Sequence, residues 1–438
     1  MDGAELIAAV RDGDTEAIRR LTDAGTDPDT ATEDGLPVLC TAIASYSVEV
    51  AEALMEGGAD PDRPLPDGTT PLLRAIEAGS PAVFEAVQGD DLGLRLRGPA
   101  GERALATARS WYERSRTAAG ERTRVPDDEY HHVDELVLDG RRVRAGHGAI
   151  LTDLEWALRL LTPVDELVDR AVRCPEPDHV DWSAVAWVLS QRRSPQTRSA
   201  VVAYRRHPDP AHRRFVLDVL RFGALSGRSA RNSYERENAE LLADWSAEET
   251  DAGVLAAVLS VFTDHEHPAM EAVGLRHAGH PDPRVRAEVP FALCTWGSPL
   301  TPVARETLLA LVRDPDARVR ACACHVLGDW YDHTAEVREA LLSLLRDPEV
   351  RGRAATGLAA CGDGTPAVAD ALYALLDEED LLLRLEVAYG LAKRNDPRTE
   401  EAYRRVGPTG PGFEDDHRLG EHFWYRERQR NASADAER

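Results

Sequence analysis

This 438-residue chain has few or none of several sequence features that identify common protein classes. No apolar run is long enough to cross a membrane, and the acidic first residues lack the apolar stretch of a signal peptide. Aromatic residues make up 6%, and Lys393 is the single lysine. The six cysteines are scattered without any CxxC pair, which excludes a secreted disulfide framework and fits a reducing compartment. We therefore expect a cytoplasmic protein.

Positive charge is also in short supply, since 52 basic residues face 77 acidic ones and the formal net charge is −25. A domain that neutralises phosphates usually carries a basic excess. This chain should therefore repel nucleic acid and acidic membranes overall. The acidic balance instead predicts a protein or peptide partner with a basic patch, bound in a salt-sensitive way.

Signatures of catalysis are absent from the sequence, which contains no nucleophile elbow, P-loop, dinucleotide-binding glycine motif or kinase motif. The histidine groups at 127–132, 264–267 and 277–280 lack the i, i+4 spacing of a helical metal site. We expect these histidines to be solvated loop residues. The sequence predicts no catalytic residue, no cofactor and no metal ion.

One short segment, Asp314 to Trp330, places Cys322, Cys324 and His325 close together. A helix turns by about 100° per residue, so the two cysteines point to opposite sides and cannot share one tetrahedral ion with the histidine. Cys322 is then expected to be a small buried residue.

Internal repeats dominate what is present, and the first array lies near the N-terminus. "GTDPD" begins at Gly25 and "GADPD" at Gly58, 33 residues later, and the pairs Asp34-Gly35 and Asp67-Gly68 keep the same spacing. Asp-Gly favours a tight turn, and the following "TPL" step starts a helix with a threonine cap and proline at its first position. This pattern resembles the ankyrin repeat and covers roughly residues 1–90.

A second array occupies the C-terminal half and repeats a helix, an Asp-Pro-type turn and another helix. Val285, Val319, Val350 and Leu383 align at spacings of 34, 31 and 33 residues, and fainter copies extend upstream to residue 163. This unit resembles the short bacterial form of the HEAT repeat, in about seven copies over 163–395. Pro290 departs from the pattern and should kink its helix or delay the start of that helix.

An arginine follows each aligned apolar residue in four units. These arginines are Arg286, Arg320, Arg351 and Arg384. They could form a stripe for phosphate or RNA, or a ladder with turn carboxylates such as Asp282, Asp316, Asp347 and the acidic run 377–380. The net charge favours the ladder, in which the turn carboxylates pair with arginines between units and cap helices, and the resemblance to HEAT repeats implies the same packing role.

A third position of the unit, six residues after the aligned apolar residue, carries Phe291, His325, Thr356 and Tyr389. The resemblance implies that second helices line the concave wall of the array, so these residues form a candidate partner-binding row. The alternative is that they contact adjacent helices. The ankyrin turn tips, with Asp34, Leu36, Asp67 and Thr69, are further candidate contacts.

The predicted fold is an all-α tandem α-solenoid with one small β-hairpin, whose turn is Asp139-Gly140. We expect ankyrin-like repeats at 1–90, connecting helices and the hairpin at 91–162, HEAT-like repeats at 163–405, and a flexible tail at 406–438. Within that tail, three aromatics at 423–425 are unusual for a disordered segment.

This architecture predicts a non-catalytic scaffold that binds a protein or peptide on its repeat surfaces. The alternatives are a HEAT-like lyase or chaperone that holds a small ligand, and a HEAT-like protein that binds nucleic acid. The charge on the second-helix wall and the pairing of its arginines distinguish them.

Overall fold

The computed structural model describes residues 3–89, 92–226, 234–294, 299–329, 334–361, 363–413 and 416–436. The chain divides into two compact units, Met1–Arg231 and Asn232–Arg438. Both are built mainly from pairs of antiparallel helices, in agreement with the predicted all-α solenoid. No helix in the described ranges combines the length and apolar character that a membrane span requires.

The first unit opens with three helix pairs. They are α1 (Gly3–Asp12), α2 (Thr15–Asp23), α3 (Val38–Ala44), α4 (Val48–Glu56), α5 (Pro71–Ala78) and α6 (Pro81–Gln88). The predicted start of α5 is confirmed, because Thr70 accepts a hydrogen bond from the Leu73 N–H at 3.2 Å and Pro71 occupies the first helical turn. Gly68 has a φ of 79°, as the Asp-Gly turn requires. Buried aliphatic side chains from all three pairs form one core.

The middle of the first unit contains helices around a small antiparallel sheet. The elements are α7 (Leu92–Arg95), α8 (Pro99–Thr117), β1 (Thr123–Pro126), β2 (His132–Leu138), β3 (Arg141–Arg144) and α9 (His147–Ala157). The predicted hairpin is confirmed as β2–β3, with Asp139 and Gly140 both at positive φ. Strand β1 was not predicted and makes the sheet three-stranded, in the order β1-β2-β3.

Asp127, directly after β1, attaches the sheet to the ankyrin-like helices. Its buried carboxylate accepts hydrogen bonds from the Ser80 hydroxyl at 2.5 Å and the Ala82 N–H at 2.8 Å, at the start of α6. Arg144 on β3 donates to the same carboxylate at 2.9 Å. A charged acceptor thus satisfies the free N–H groups of a helix N-terminus from a distant strand.

Two further helix pairs complete the first unit. They are α10 (Val164–Ala171) with α11 (Val180–Gln191), and α12 (Pro195–Ala203) with α13 (Pro210–Ser226); a short 3-10 turn, Tyr204–Arg206, follows α12. Trp182 on α11 is fully buried and donates its indole N–H to Asp218 on α13 at 2.9 Å. These pairs follow the helix–turn–helix pattern expected from residue 163 onward.

The second unit consists of six helix pairs. They are α14 (Glu235–Glu248) with α15 (Ala252–Phe262), α16 (Met270–His277) with α17 (Pro283–Ala292), α18 (Pro302–Leu311) with α19 (Ala317–Asp329), α20 (Ala335–Leu344) with α21 (Arg351–Ala360), α22 (Pro366–Ala374) with α23 (Leu381–Lys393), and α24 (Thr399–Val406) with α25 (His417–Ala436); a 3-10 turn, Leu375–Asp377, follows α22. The second helices, α15 to α25, pack one against the next in a single layer. Pro290 lies inside α17, which ends two residues later.

The C-terminal segment differs from the flexible tail expected at 406–438, because residues 417–436 form the helix α25. This helix packs against α23 as the second helix of a final pair. Tyr425 faces the core and is 6% exposed, whereas Phe423 and Trp424 are 56% and 59% exposed. Burial of one aromatic side chain supplies the apolar contact that composition alone did not reveal.

Candidate functional site: the repeat surfaces

The predicted arginine ladder is present in the second unit. Each of three arginines pairs with a carboxylate in the turn of the following helix pair: Arg286 with Asp314 at 2.7 Å, Arg320 with Asp347 at 2.8 Å, and Arg351 with Glu378. Arg286 and Asp314 are only 13% and 7% exposed, and the guanidinium bonds both carboxylate oxygens. The Arg286 hydrogen bond lowers the pKa of Asp314. These arginines are therefore engaged with carboxylates of the same chain.

Arginines at this position of the unit also close the turn before their own helix. The carbonyl oxygens that accept lie six and five residues earlier: His280 and Pro281 for Arg286, Asp314 and Pro315 for Arg320, and Glu378 and Glu379 for Arg384. Each arginine thus satisfies carbonyl groups after the first helix of its own unit. For Arg286 and Arg320, the same guanidinium also reaches the next unit.

Two aspartates that the sequence placed in the ladder have another role. Asp282 accepts from the Arg284 N–H at 2.9 Å, and Asp316 accepts from the Arg318 N–H at 2.9 Å, so both cap their own helices. The Arg284 side chain, which hydrogen-bonds Asp282, lowers the pKa of that half-buried carboxyl to about 2. The ladder expected from the sequence combined ion pairs with helix caps, and the structure gives these two roles to different aspartates: Asp282 and Asp316 cap their own helices, whereas Asp314 and Asp347 pair with the arginine of the preceding unit.

The predicted row lies on four successive second helices, α17, α19, α21 and α23. Phe291 is half-buried, and its ring lies 6.0 Å from that of the exposed His325, centroid to centroid. Thr356 is exposed on α21. Tyr389 is half-buried and its ring meets His417 of α25 edge-on at 5.3 Å. The structure thus brings Phe291 and His325 together, while the terminal helix partly covers Tyr389.

The segment with Cys322, Cys324 and His325 folds as the helix α19, as predicted. The buried thiol is Cys324, which is fully inaccessible, and Cys322 is only half-buried. The expectation that Cys322 is the buried residue was therefore wrong, because α19 buries the side that carries Cys324. Burial raises the pKa of Cys324 to about 12, so it is an unreactive core thiol. Trp330, the last residue of this segment, lies outside the described residues.

The ankyrin turn tips are exposed to different degrees. Asp34 is exposed and Leu36 is half-buried. Asp67 is exposed but internally engaged, because its carboxylate accepts from Thr69 at 2.6 Å and from Arg74 at 2.7 Å. Thr69 is half-buried. The carboxylate of the second tip is therefore already engaged by neighbouring side chains.

Histidines were expected to be solvated, and several are not. His132, His265 and His277 are at most 9% exposed, and burial lowers the pKa of His265 and of His277. His132 begins β2, where its ring contacts Arg124 and Asp178, and His277 ends α16. The expectation of solvated loop residues was therefore wrong for these three histidines, because the packed elements cover their side chains.

Sequence reasoning also did not bring together Asp134, Cys174 and His179. These residues come from β2, from the turn after α10 and from the start of α11. Their potential ligand atoms lie within 4.8 Å of one another. No short motif contains all three, and only the packing of the sheet against α10 and α11 makes them neighbours.

Comparison with known proteins agrees with the repeat assignments. A family model described as ankyrin repeats, in three copies, matches residues 6–93, and a model described as HEAT repeats matches residues 274–348 and 338–402. No curated protein matches the chain.

Three solved structures illustrate the range of structural similarity. YibA of Escherichia coli is 16% identical with a TM-score of 0.47, and the match covers 63% of this chain and 97% of YibA. An engineered protein is 16% identical with a TM-score of 0.39, over 94% and 97% of the two chains. A mutant of the karyopherin Kap121p is 14% identical with a TM-score of 0.38, over 92% of this chain and 46% of Kap121p. Such similarity carries no functional inference.

The family models and the stacked helix pairs coincide. The matched residues 6–93 contain the three helix pairs α1 to α6, and the matched residues 274–402 contain the second helices α17, α19, α21 and α23. Residues 6–93 are therefore ankyrin repeats, and residues 274–402 are HEAT repeats.

Proposed function

We propose that this chain is a non-catalytic scaffold that binds a protein or peptide partner on its repeat surfaces. Stacked repeats build extended surfaces, and arrays of this kind use them for binding. The observation that carries the proposal is the pairing of Phe291 with His325 on neighbouring second helices. A half-buried aromatic ring beside an exposed imidazole, on a rigid helical layer, is a suitable anchor for a partner's side chain.

The arginine ladder argues against the nucleic-acid alternative. A phosphate-binding wall needs free cations, but Arg286, Arg320 and Arg351 each contact a carboxylate of the next unit. The formal net charge of −25 adds a general repulsion of polyanions. The partner is therefore a protein or peptide with a basic patch, and its association weakens as salt rises.

The test is affinity purification at low salt with mass spectrometry, using the wild-type chain and the double variant Phe291→Ala/His325→Ala. The matched control is Val303→Ala, because Val303 is a 52% exposed apolar residue on α18, the first helix of the pair that contains His325. We expect specific partners that are retained by the control, lost by the double variant and released by raised salt. Recovery of no partner at low salt, or equal recovery by both variants, contradicts the proposal.

The ankyrin tips are tested separately with Asp34→Ala and Leu36→Ala. Asp34 is exposed, so its loss should weaken a partner with a basic patch without unfolding the array. Asp67→Ala is a less clean test, because Asp67 also holds Thr69 and Arg74. If the same partner is lost from the tip variants and from the row variant, both surfaces contact it.

A further inference from the structure

A cavity of about 310 Å³ lies within the first unit, whereas the proposed partner-binding row belongs to the second. Asp134 on β2, Cys174 after α10, and His179 and Asp181 at the start of α11 line one part of its wall. Tyr112 on α8 also contributes to the lining. Residues with three different kinds of potential ligand atom, a carboxylate oxygen, a thiol sulfur and an imidazole nitrogen, therefore line one cavity.

The spacing of the three donors is close to that of a metal site. Their ligand atoms lie within 4.8 Å of one another in the absence of an ion. A tetrahedral ion with bonds of about 2.0–2.3 Å holds its ligands roughly 3.5 Å apart. A movement of about one ångström in side chains on a loop and a helix start would complete this geometry.

His179 provides the second observation that points to a ligand. Its ring is 2% exposed, and its Nδ1 accepts a hydrogen bond from the Asp181 N–H at 3.1 Å. Nε2 is buried and has no hydrogen-bond partner among the described residues. Buried polar atoms are rarely left unpaired, so a group that binds Nε2 is expected in this cavity.

The other two donors are also available. Arg122 lies 3.4 Å from Oδ2 of Asp134, a long contact that engages one of the two carboxylate oxygens. Cys174 is a free, half-buried thiol in the same wall. Arg116, Arg122 and Arg173 also line the cavity, so the three donors lie beside guanidinium groups.

We propose that Asp134, Cys174 and His179 bind one Zn²⁺ ion, with a coordination position open to the cavity. Mixed nitrogen, sulfur and oxygen ligands suit zinc, whereas magnesium and calcium prefer oxygen ligands alone. Three protein ligands leave a fourth position for water or a small ligand. This inference differs from the sequence expectation of no metal ion.

Binding of the ion displaces one proton, from the thiol, and moves another within the imidazole ring. Cys174 releases its thiol proton to solvent as the thiolate–zinc bond forms. The imidazole proton moves from Nε2 to Nδ1, so that Nε2 can bind the ion and His179 stays neutral. The Asp181 N–H bond to Nδ1 is given up in exchange for the metal bond. The ion would then tie β2 to the turn after α10 and to the start of α11.

The test is a titration of the full chain with Co²⁺ as a spectroscopic substitute, followed by competition with Zn²⁺. We expect one equivalent of cobalt, a thiolate-to-cobalt charge-transfer absorption, and its loss when zinc is added. Cys174→Ser should abolish the absorption. Asp134→Asn should keep the thiolate absorption but lower the affinity for cobalt at least tenfold. This second variant tests the site even if Cys174→Ser does not fold.

The matched control is Cys361→Ser, because Cys361 is another half-buried thiol, and its sulfur hydrogen-bonds the Leu358 carbonyl and Arg394. Circular dichroism of each metal-free variant checks its fold. Zinc should raise the melting temperature of the wild type and of Cys361→Ser, and should leave Cys174→Ser unchanged. No thiolate absorption in the wild type, retention in Cys174→Ser, or loss in Cys361→Ser overturns the proposal.

Discussion

The backbones of α19 and α21 approach closely at two glycines. A Cβ atom built on Gly328 would lie 2.6 Å from the Cα of Gly357, and one built on Gly357 would lie 3.0 Å from the Cα of Gly328. The obstructing atoms belong to backbone, so no side-chain rotation can relieve the clash. Gly328→Ala must therefore push the two second helices apart.

The size of the effect follows from two opposing contributions. Alanine in place of glycine gains about 1 kcal/mol of helix propensity. A methyl group forced into a packed contact costs about 1–3 kcal/mol, and a backbone clash lies at the upper end of that range. We expect Gly328→Ala to lower the free energy of unfolding by about 1–2 kcal/mol in net.

Gly352 on α21 offers a matched control, because a Cβ atom there meets no heavy atom within 4 Å. Gly352→Ala should therefore raise the free energy of unfolding by up to about 1 kcal/mol. Equilibrium urea unfolding of the full chain, followed by far-ultraviolet circular dichroism, measures both variants. If both substitutions shift the unfolding midpoint in the same direction and by the same amount, the close approach of α19 and α21 does not limit their packing.

Three other predictions concern individual contacts. Arg286→Ala should lower the free energy of unfolding by about 2–3 kcal/mol in a urea titration, since it leaves the buried carboxylate of Asp314 without its partner. Burial lowers the pKa of His147 from 6.5 to about 4. The unfolded chain therefore binds a proton at this ring before the folded chain does, and the free energy of unfolding decreases as pH falls from 6.5 to 4. The loss is about 2 kcal/mol between pH 7 and pH 5, and His147→Gln should remove it in urea titrations at the two pH values. Tyr425→Ala should destabilise the second unit by about 3 kcal/mol, while Trp424→Ala on the exposed face stays within about 0.5 kcal/mol; equal thermal shifts would contradict the packing of α25.

Repeat periodicity made most of the fold accessible from sequence. A turn signal and a helix start that recur every 31 to 34 residues leave few alternatives to stacked helix pairs. The arginine ladder was predictable for the same reason, because a charge at a fixed offset in each unit meets the next unit in a fixed way. Its partners were assigned less well, since Asp282 and Asp314 are both turn aspartates and only geometry separates a helix cap from a bridge.

Features that depend on contacts across the repeats were not predictable. The helix α25 has a tail-like composition, and only the burial of Tyr425 beside α23 distinguishes it from a disordered segment. The cluster of Asp134, Cys174 and His179 combines residues that are 40 and 5 positions apart in the chain, on three different elements. Local sequence patterns do not predict that these three residues are neighbours, because their proximity results from the packing of the sheet on the helices.

The arginine ladder and the candidate partner-binding row occupy different positions of the same repeat unit. The residue after the aligned apolar position is arginine in four units. Arg286, Arg320 and Arg351 pair with carboxylates of the next unit, and Arg384 donates to carbonyl oxygens of its own turn. The residue six positions after the aligned one varies instead, from phenylalanine and histidine to threonine and tyrosine. Since the constant position is engaged in packing, we propose that specificity for a partner comes from the varying one. The Phe291–His325 pair supplies the aromatic contact there, so it is the first place where a partner's side chain should bind.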